Sequence, residues 1–150
     1  MKLSEAIRLG AMALPPVYGP AFRCEGGRYC GACAIGAPLY AIFGDRTHDE
    51  LRRRYGYDDV GVVIAAQLAF VERWPWTAME VQCPAYRFAY AQPVVSAMVN
   101  LFEHHKWTRE QIADWVATIE PPEQSAPIED EAEDETGVVV EHVIKLTVQR

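Results

Sequence analysis

"FRCEGGRYCGACAIGAPLYAIFG", residues 22–44, places three of the chain's four cysteines within ten residues, and two of them, Cys30 and Cys33, have Cys-x-x-Cys spacing. Such spacing serves a metal knuckle, a redox pair or a helix that uses cysteine as a small apolar residue. Cys30, Cys33, Ala34, Ala37 and Ala41 recur at i, i+3, i+4, i+7 and i+11, which predicts one face of an α-helix. Free cysteine packs as a small hydrophobe, so a face of small residues lets two helices approach closely. Pro38 lies inside this stripe and predicts a kink or a delayed helix start.

The flanking segments extend the helical pattern. Leu3, Ala6, Ile7, Gly10, Ala11 and Leu14 recur at helical spacing until Pro15 and Pro16 stop them, and the glycine-rich stretch 17–27 reads as a loop. "THDE" at 47–50 reads as a capping box, with Thr47 as N-cap and Glu50 reaching back, opening a basic helix that ends at Gly56. Residues 60–73 are apolar on nearly all sides, which predicts a central helix. Residues 74–92 read as an irregular, aromatic-rich connection containing Trp74, Trp76, Cys83, Pro84, Tyr86, Phe88 and Tyr90. A long helix follows Pro93, with Val95, Met98, Val99 and Phe102 as its stripe. The last helix opens at Thr108 with Gln111 completing a capping box, and buries Ile112, Trp115, Val116 and Ile119. The expected fold is therefore all-α, a compact bundle of five or six helices over residues 1–120.

Beyond Glu120 the composition changes. Residues 120–135 hold eight acids and no base, whereas residues 1–119 hold twelve of each, so the net charge of −7 belongs mostly to this region. Residues 121–137 read as an acidic flexible linker, and "VVVEHVIKLTVQR" at 138–150 switches to a β pattern with Val140, His142, Ile144, Leu146 and Val148 on one face. A lone strand finds no partner in a helical body, so this segment either adds to a strand edge in another subunit or another protein or is a disordered tail whose apolar residues do nothing in isolation; the first reading is the one carried forward.

A neutral body with an acidic tail argues against nucleic-acid binding, which needs an excess of Lys and Arg. "FEHHKWTREQIADWV", residues 102–116, has a helix-turn-helix layout, but its second helix carries acids and a tryptophan suited to a core. Glu5 and Arg8 interrupt what would be the apolar part of a signal peptide, and the longest apolar run is too short to span a bilayer. A cytoplasmic protein with no membrane partner and with reduced thiols is expected.

Three chemistries compete for the thiols. A zinc site would take Cys24, Cys30, Cys33 and Cys83, with His48, His104 or His105 as a substitute ligand, although no second Cys-x-x-Cys lies near Cys83. A redox site would take Cys30 as attacking and Cys33 as resolving thiol at a helix N-terminus, but no strand of an alternating β/α pattern precedes Tyr29. Packing is the third and simplest role. No phosphate loop, nucleophile elbow or His-Glu-x-x-His motif is present.

Four stretches carry a family resemblance: "KLSEAIRLGAM" at 2–12, "CAIGAPLYAI" at 33–42, Cys-Pro at 83–84 and "HKWTREQIADWV" at 105–116. They resemble a group of small uncharacterised bacterial helical proteins that read "KLSEAIRLGAMLKPQ", "CALGAALEAIG", a Cys-Pro and "W(T/S)REQIADWV". The resemblance implies one small helical domain over residues 2–119 and no particular activity. Cys33 and Cys83 match the pattern and Cys24 and Cys30 fall outside it, so a four-thiolate site is not what the group shares. Pro38 and Tyr40 replace the usual Ala and Glu.

The expected function is that of a small non-enzymatic interaction or assembly protein, binding a protein partner or dimerising through residues 138–150. No cofactor is expected. The alternative is a zinc-stabilised or thiol-redox protein that uses Cys30 and Cys33.

Overall fold

α1 (Leu3–Ala13) buries the stripe Leu3, Ala6, Ile7 and Gly10 against the helices that follow Cys33 and Thr108. It has no cap of its own. Ser4 instead donates its backbone N–H, at 3.1 Å, and its hydroxyl to the carboxylate of Glu120, which supplies an acceptor and a negative charge at the positive end of the helix. A computed structural model describes residues 1–56, 61–86 and 91–123, and the acidic and β-prone stretch from 124 to 150 lies outside the described residues.

The stretch read as a loop and the start of a helix is a β-hairpin. β1 (Phe22–Glu25) pairs antiparallel with β2 (Arg28–Ala32). Gly26 and Gly27 both hold positive φ, 56° and 77°, which is the backbone that a two-residue hairpin loop requires and that glycine adopts without steric cost. The register runs Phe22 to Ala32 and Arg23 to Gly31, then slips to Cys24 with Tyr29, leaving Cys30 as the extra residue of a β-bulge. Cys30 is therefore on a strand. α2 (Gly36–Phe43) starts late, and Pro38 sits in its first turn, where its missing N–H leaves no bond unmade.

α3 (Thr47–Tyr55) ends at Gly56 as the sequence predicts, but its start differs. Thr47 is the first helical residue and not the N-cap; its hydroxyl donates to the Gly44 carbonyl at 2.6 Å, while Glu50 pairs with Arg53 and Arg54 on the helix surface. α4 (Val62–Arg73) buries Ala65, Ala66, Ala69 and Phe70 but leaves Val63 and Ile64 exposed by 38% and 64%, so it lines the body and is not its central helix.

The aromatic connection is ordered in part. Residues 75–78 form a short 3-10 turn under the buried Trp74, and β3 (Glu80–Gln82) pairs antiparallel with β4 (Ala91–Pro93). Phe88 and Tyr90 lie outside the described residues. α5 (Val94–Glu103) turns Val94, Ala97, Met98, Leu101 and Phe102 inward and leaves Val95 and Val99 half-buried. α6 (Arg109–Ile119) has the capping box read from its sequence, with Thr108 and Gln111 bonded reciprocally at 2.8 and 3.0 Å. The all-α expectation is thus corrected to a helix-rich mixed fold: six α-helices and two small antiparallel sheets among the described residues.

Candidate functional site

The hairpin rests on the first turn of α3 through a ring cluster. Tyr29 stacks on His48, with ring centroids 5.0 Å apart and an interplanar angle of 13°, and Phe22 meets both rings edge-on. The His48 backbone N–H donates to the Tyr29 hydroxyl at 2.7 Å, which ties β2 to α3 and fixes the imidazole over the strands. Cys24, exposed on β1, brings its Sγ to 3.5 Å from His48 Nε2. Cys30, on the bulge, donates its thiol to the Arg23 carbonyl at 3.3 Å.

The electrostatics of this pair are those of a neutral thiol beside a neutral imidazole. Partial burial raises the Cys24 pKa and the neighbouring Cys30 adds to it. Burial lowers the His48 pKa, Arg52 lowers it further, and Asp49 works in the opposite sense. An activated cysteine nucleophile needs the reverse, a thiolate held by an imidazolium.

Cys33 occupies a different environment. It lies just before α2, 9% exposed, and its Sγ accepts the backbone N–H groups of Ile35 at 3.3 Å and Gly36 at 3.4 Å. Burial raises its pKa, the N–H groups oppose this, and Glu103 adds to the rise. The thiol lines a small cleft of about 40 Å³ with Ala34, Ile35, Val63, Ala66, Phe102 and Glu103. A second recess, lined by Gln67, Val95, Ser96, Val99 and Asn100, shares Gln67 and Val99 with the first, so one groove runs between α4 and α5. Glu103 closes one end by accepting the Gly19 N–H with both carboxylate oxygens at 3.0 Å.

Cys83 is fully buried in the turn after β3. The four thiols are thus shared among the hairpin, the entrance to α2 and the β3 turn, and none is in a disulfide. Among the described residues no three His, Cys, Asp or Glu side chains are grouped so as to hold a metal ion. His104 and His105, the other substitute ligands, follow α5, where the His105 ring meets Tyr86 edge-on at 4.8 Å.

One structural residue was not read from the sequence. Arg109, the basic residue that leads α6 in the helix-turn-helix layout, is 5% exposed and turned inward. Its guanidinium donates to the carbonyls of Ala32 and Ala11, each at 3.3 Å. Ala11 lacks its helical donor because residue 15 is proline, so the arginine supplies the bond that Pro15 removes. The sequence signal was the Pro15-Pro16 pair, which orphans two carbonyls at the end of α1.

Comparisons of the chain with protein-family models, curated proteins and solved structures return no match.

Proposed function

We propose that this is a small, non-enzymatic assembly protein of the cytoplasm in which residues 138–150 of one copy add as a strand to β1 of a second copy. The observation that supports it is the open side of the hairpin. β1 has β2 on one side and no strand on the other among the described residues, and Arg23, Cys24 and Glu25 are exposed along it. The outer side of β2, by contrast, is bridged at Ala32 by Pro16.

A two-stranded hairpin is marginal in isolation, and a third strand both completes its hydrogen bonding and widens its apolar face. Phe22, Tyr29 and His48 already form one layer, and the face Val140, Ile144, Leu146 and Val148 supplies the β-branched and aliphatic groups that would extend it. The fourteen residues 124–137 can stretch to about 46 Å, enough to cross from Glu123 to a neighbouring body. Reciprocal exchange of two such segments closes a two-fold dimer.

The test compares the full chain with one ending at Glu123 by size-exclusion chromatography with light scattering. A dimer that becomes a monomer with unchanged helical circular dichroism supports the reading. A monomer in both cases, or a dimer in both, overturns it.

A further inference from the structure

We propose that Cys24 and Cys30 form a cross-strand dithiol, which small aliphatic disulfides of the glutathione class oxidise to an internal disulfide between β1 and β2. The site goes beyond the strand-addition reading and does not depend on it, since both thiols belong to one hairpin of one chain.

The bulge makes the pair. Arg23 pairs with Gly31 and Cys24 with Tyr29, so Cys30, the extra residue, faces the peptide that joins Arg23 to Cys24. Its thiol donates to the carbonyl of that peptide at 3.3 Å. A planar peptide holds its oxygen roughly 2.8 Å from the following Cα, so the Cys30 sulfur lies within about 6 Å of the Cys24 Cα. Neighbouring strands run about 4.8 Å apart, and an offset of half a residue along the strand adds only about 0.3 Å. The two Cα atoms therefore fall inside the roughly 4.4–6.8 Å that a disulfide spans. Cys30 also helps to raise the Cys24 pKa, as a close neighbour would.

The Cys-x-x-Cys spacing points to a different pair, and the fold separates it. Cys33 is 9% exposed, with its sulfur turned onto the Ile35 and Gly36 N–H groups, while Cys30 reaches back to β1. Cys83 is fully buried after β3. Cys24 is exposed and Cys30 half-buried, so an incoming disulfide meets Cys24 first and Cys30 stands ready to resolve it. Closing the bond exchanges two weak sulfur contacts, Cys24 with His48 at 3.5 Å and Cys30 with the Arg23 carbonyl, for a covalent one. Exposure lets Cys24 turn its single χ1 torsion without displacing the core.

The exchange balances in two steps. The Cys24 thiolate attacks R–S–S–R, which breaks that S–S bond, forms Cys24–S–S–R and releases one thiolate. Cys30 then attacks the Cys24 sulfur and releases the second. Two protein thiols and one R–S–S–R become one internal disulfide and two R–SH, which carry away both protons. The protein loses two electrons and the small disulfide gains them, and an excess of R–SH reverses the reaction.

The experiment incubates the reduced full-length protein with glutathione disulfide at about pH 8, then alkylates the remaining thiols in guanidinium. Trypsin cuts after Arg23 and Arg28, so Cys24 leaves on residues 24–28 and Cys30 on residues 29–46. Wild type is expected to lose two alkylatable thiols and keep no glutathione, with residues 24–28 joined to Cys30 and with Cys33 alkylated. Cys30→Ser should stop at the mixed disulfide on Cys24, which should persist at least about 20-fold longer than in wild type. Cys24→Ser should form no internal disulfide. Thermal melts of the reduced proteins establish that both variants stay folded. A Cys30–Cys33 linkage overturns the proposal. So does glutathione retained on wild-type Cys24, a bond between two chains on a non-reducing gel, or four thiols left unchanged.

Discussion

Gly10 of α1 faces the backbone of Ala37 in α2 so closely that a Cβ on Gly10 would stand 1.9 Å from the Ala37 carbonyl oxygen and 2.3 Å from its carbon. Backbone atoms cannot swing aside as a side-chain terminus can. The two helices therefore touch where both carry small residues, and the packing of α1 on α2 depends on the missing methyl. Gly10→Ala should destabilise the protein by about 3 kcal/mol or more, the upper range for overpacking a filled core. Gly26→Ala is the control: its Cβ meets nothing within 4 Å, and the cost is the left-handed backbone alone, about 1 kcal/mol. Urea unfolding of both variants checks the order; equal losses would show that α1 and α2 can separate freely.

The Arg109 guanidinium joins three elements, since it leads α6 and donates to the end of α1 and the end of β2. Burial depresses its pKa and the neighbouring Glu110 opposes this, while the two carbonyls accept its hydrogen bonds. Arg109→Met keeps the apolar stem and removes both bonds, leaving the Ala11 carbonyl short of a donor. The expected loss is about 2 kcal/mol. Arg109→Lys retains a charge but not the fork that reaches two acceptors, and should recover only part of it. Denaturant midpoints of the three proteins give the comparison, and a lysine variant equal to wild type would remove the need for the fork.

Much of the helical body was legible. The stripe of α1, the end of α3 at Gly56 and the capping box of α6 follow from residues whose roles are local, a hydrophobic repeat, a glycine stop and a Thr–Gln pair. The hairpin was misread although its signal was present: two glycines between Cys24-Glu25 and Arg28-Tyr29-Cys30 specify a tight loop between extended strands. The period-3.6 spacing of Cys30, Cys33, Ala34 and Ala37 outweighed it, because small residues satisfy helix and strand environments alike. Pro38 could have decided the matter. A helix running back to Cys30 would need a bond from residue 38 to the Ala34 carbonyl, which proline cannot make. The site was less legible still. Only the fold brings Cys24 to His48, 24 residues away, and no local rule in the sequence would pair them.

The folded environment of His48 predicts a pH effect of defined sign. Its folded pKa lies below the ordinary imidazole value of 6.5, mainly through burial and then through Arg52, so the unfolded chain binds the proton first as pH falls. Stability from this group is present above pH 6.5 and is lost as pH drops from there through the folded pKa. Glu50, held low by Arg53, acts only below its ordinary 4.5 and leaves this window clear. The guanidinium midpoint of wild type should fall between pH 7 and pH 5.5, and that of His48→Gln should be flatter. A variant with the same slope as wild type would assign the effect to another group.

The four thiols should separate into two classes. Cys24 is exposed and Cys30 half-exposed, whereas Cys33 is 9% exposed and Cys83 fully buried. An aromatic disulfide reagent should therefore modify two thiols in the native protein and all four in guanidinium. The native reaction will be slow at neutral pH, because burial and the adjacent Cys30 raise the Cys24 pKa and only the thiolate attacks. Raising the pH should accelerate it, and Cys24→Ser should remove the leading phase. Cys33 is the informative residue. Its sulfur lines the groove between α4 and α5, so a molecule seated there would cover it and a breathing groove would expose it. Native modification of Cys33 at a rate near that of Cys24 would mean that the groove opens readily. Protection of Cys33 until global unfolding, matched to Cys83, would mean that its role is to accept the Ile35 and Gly36 N–H groups and fill the core.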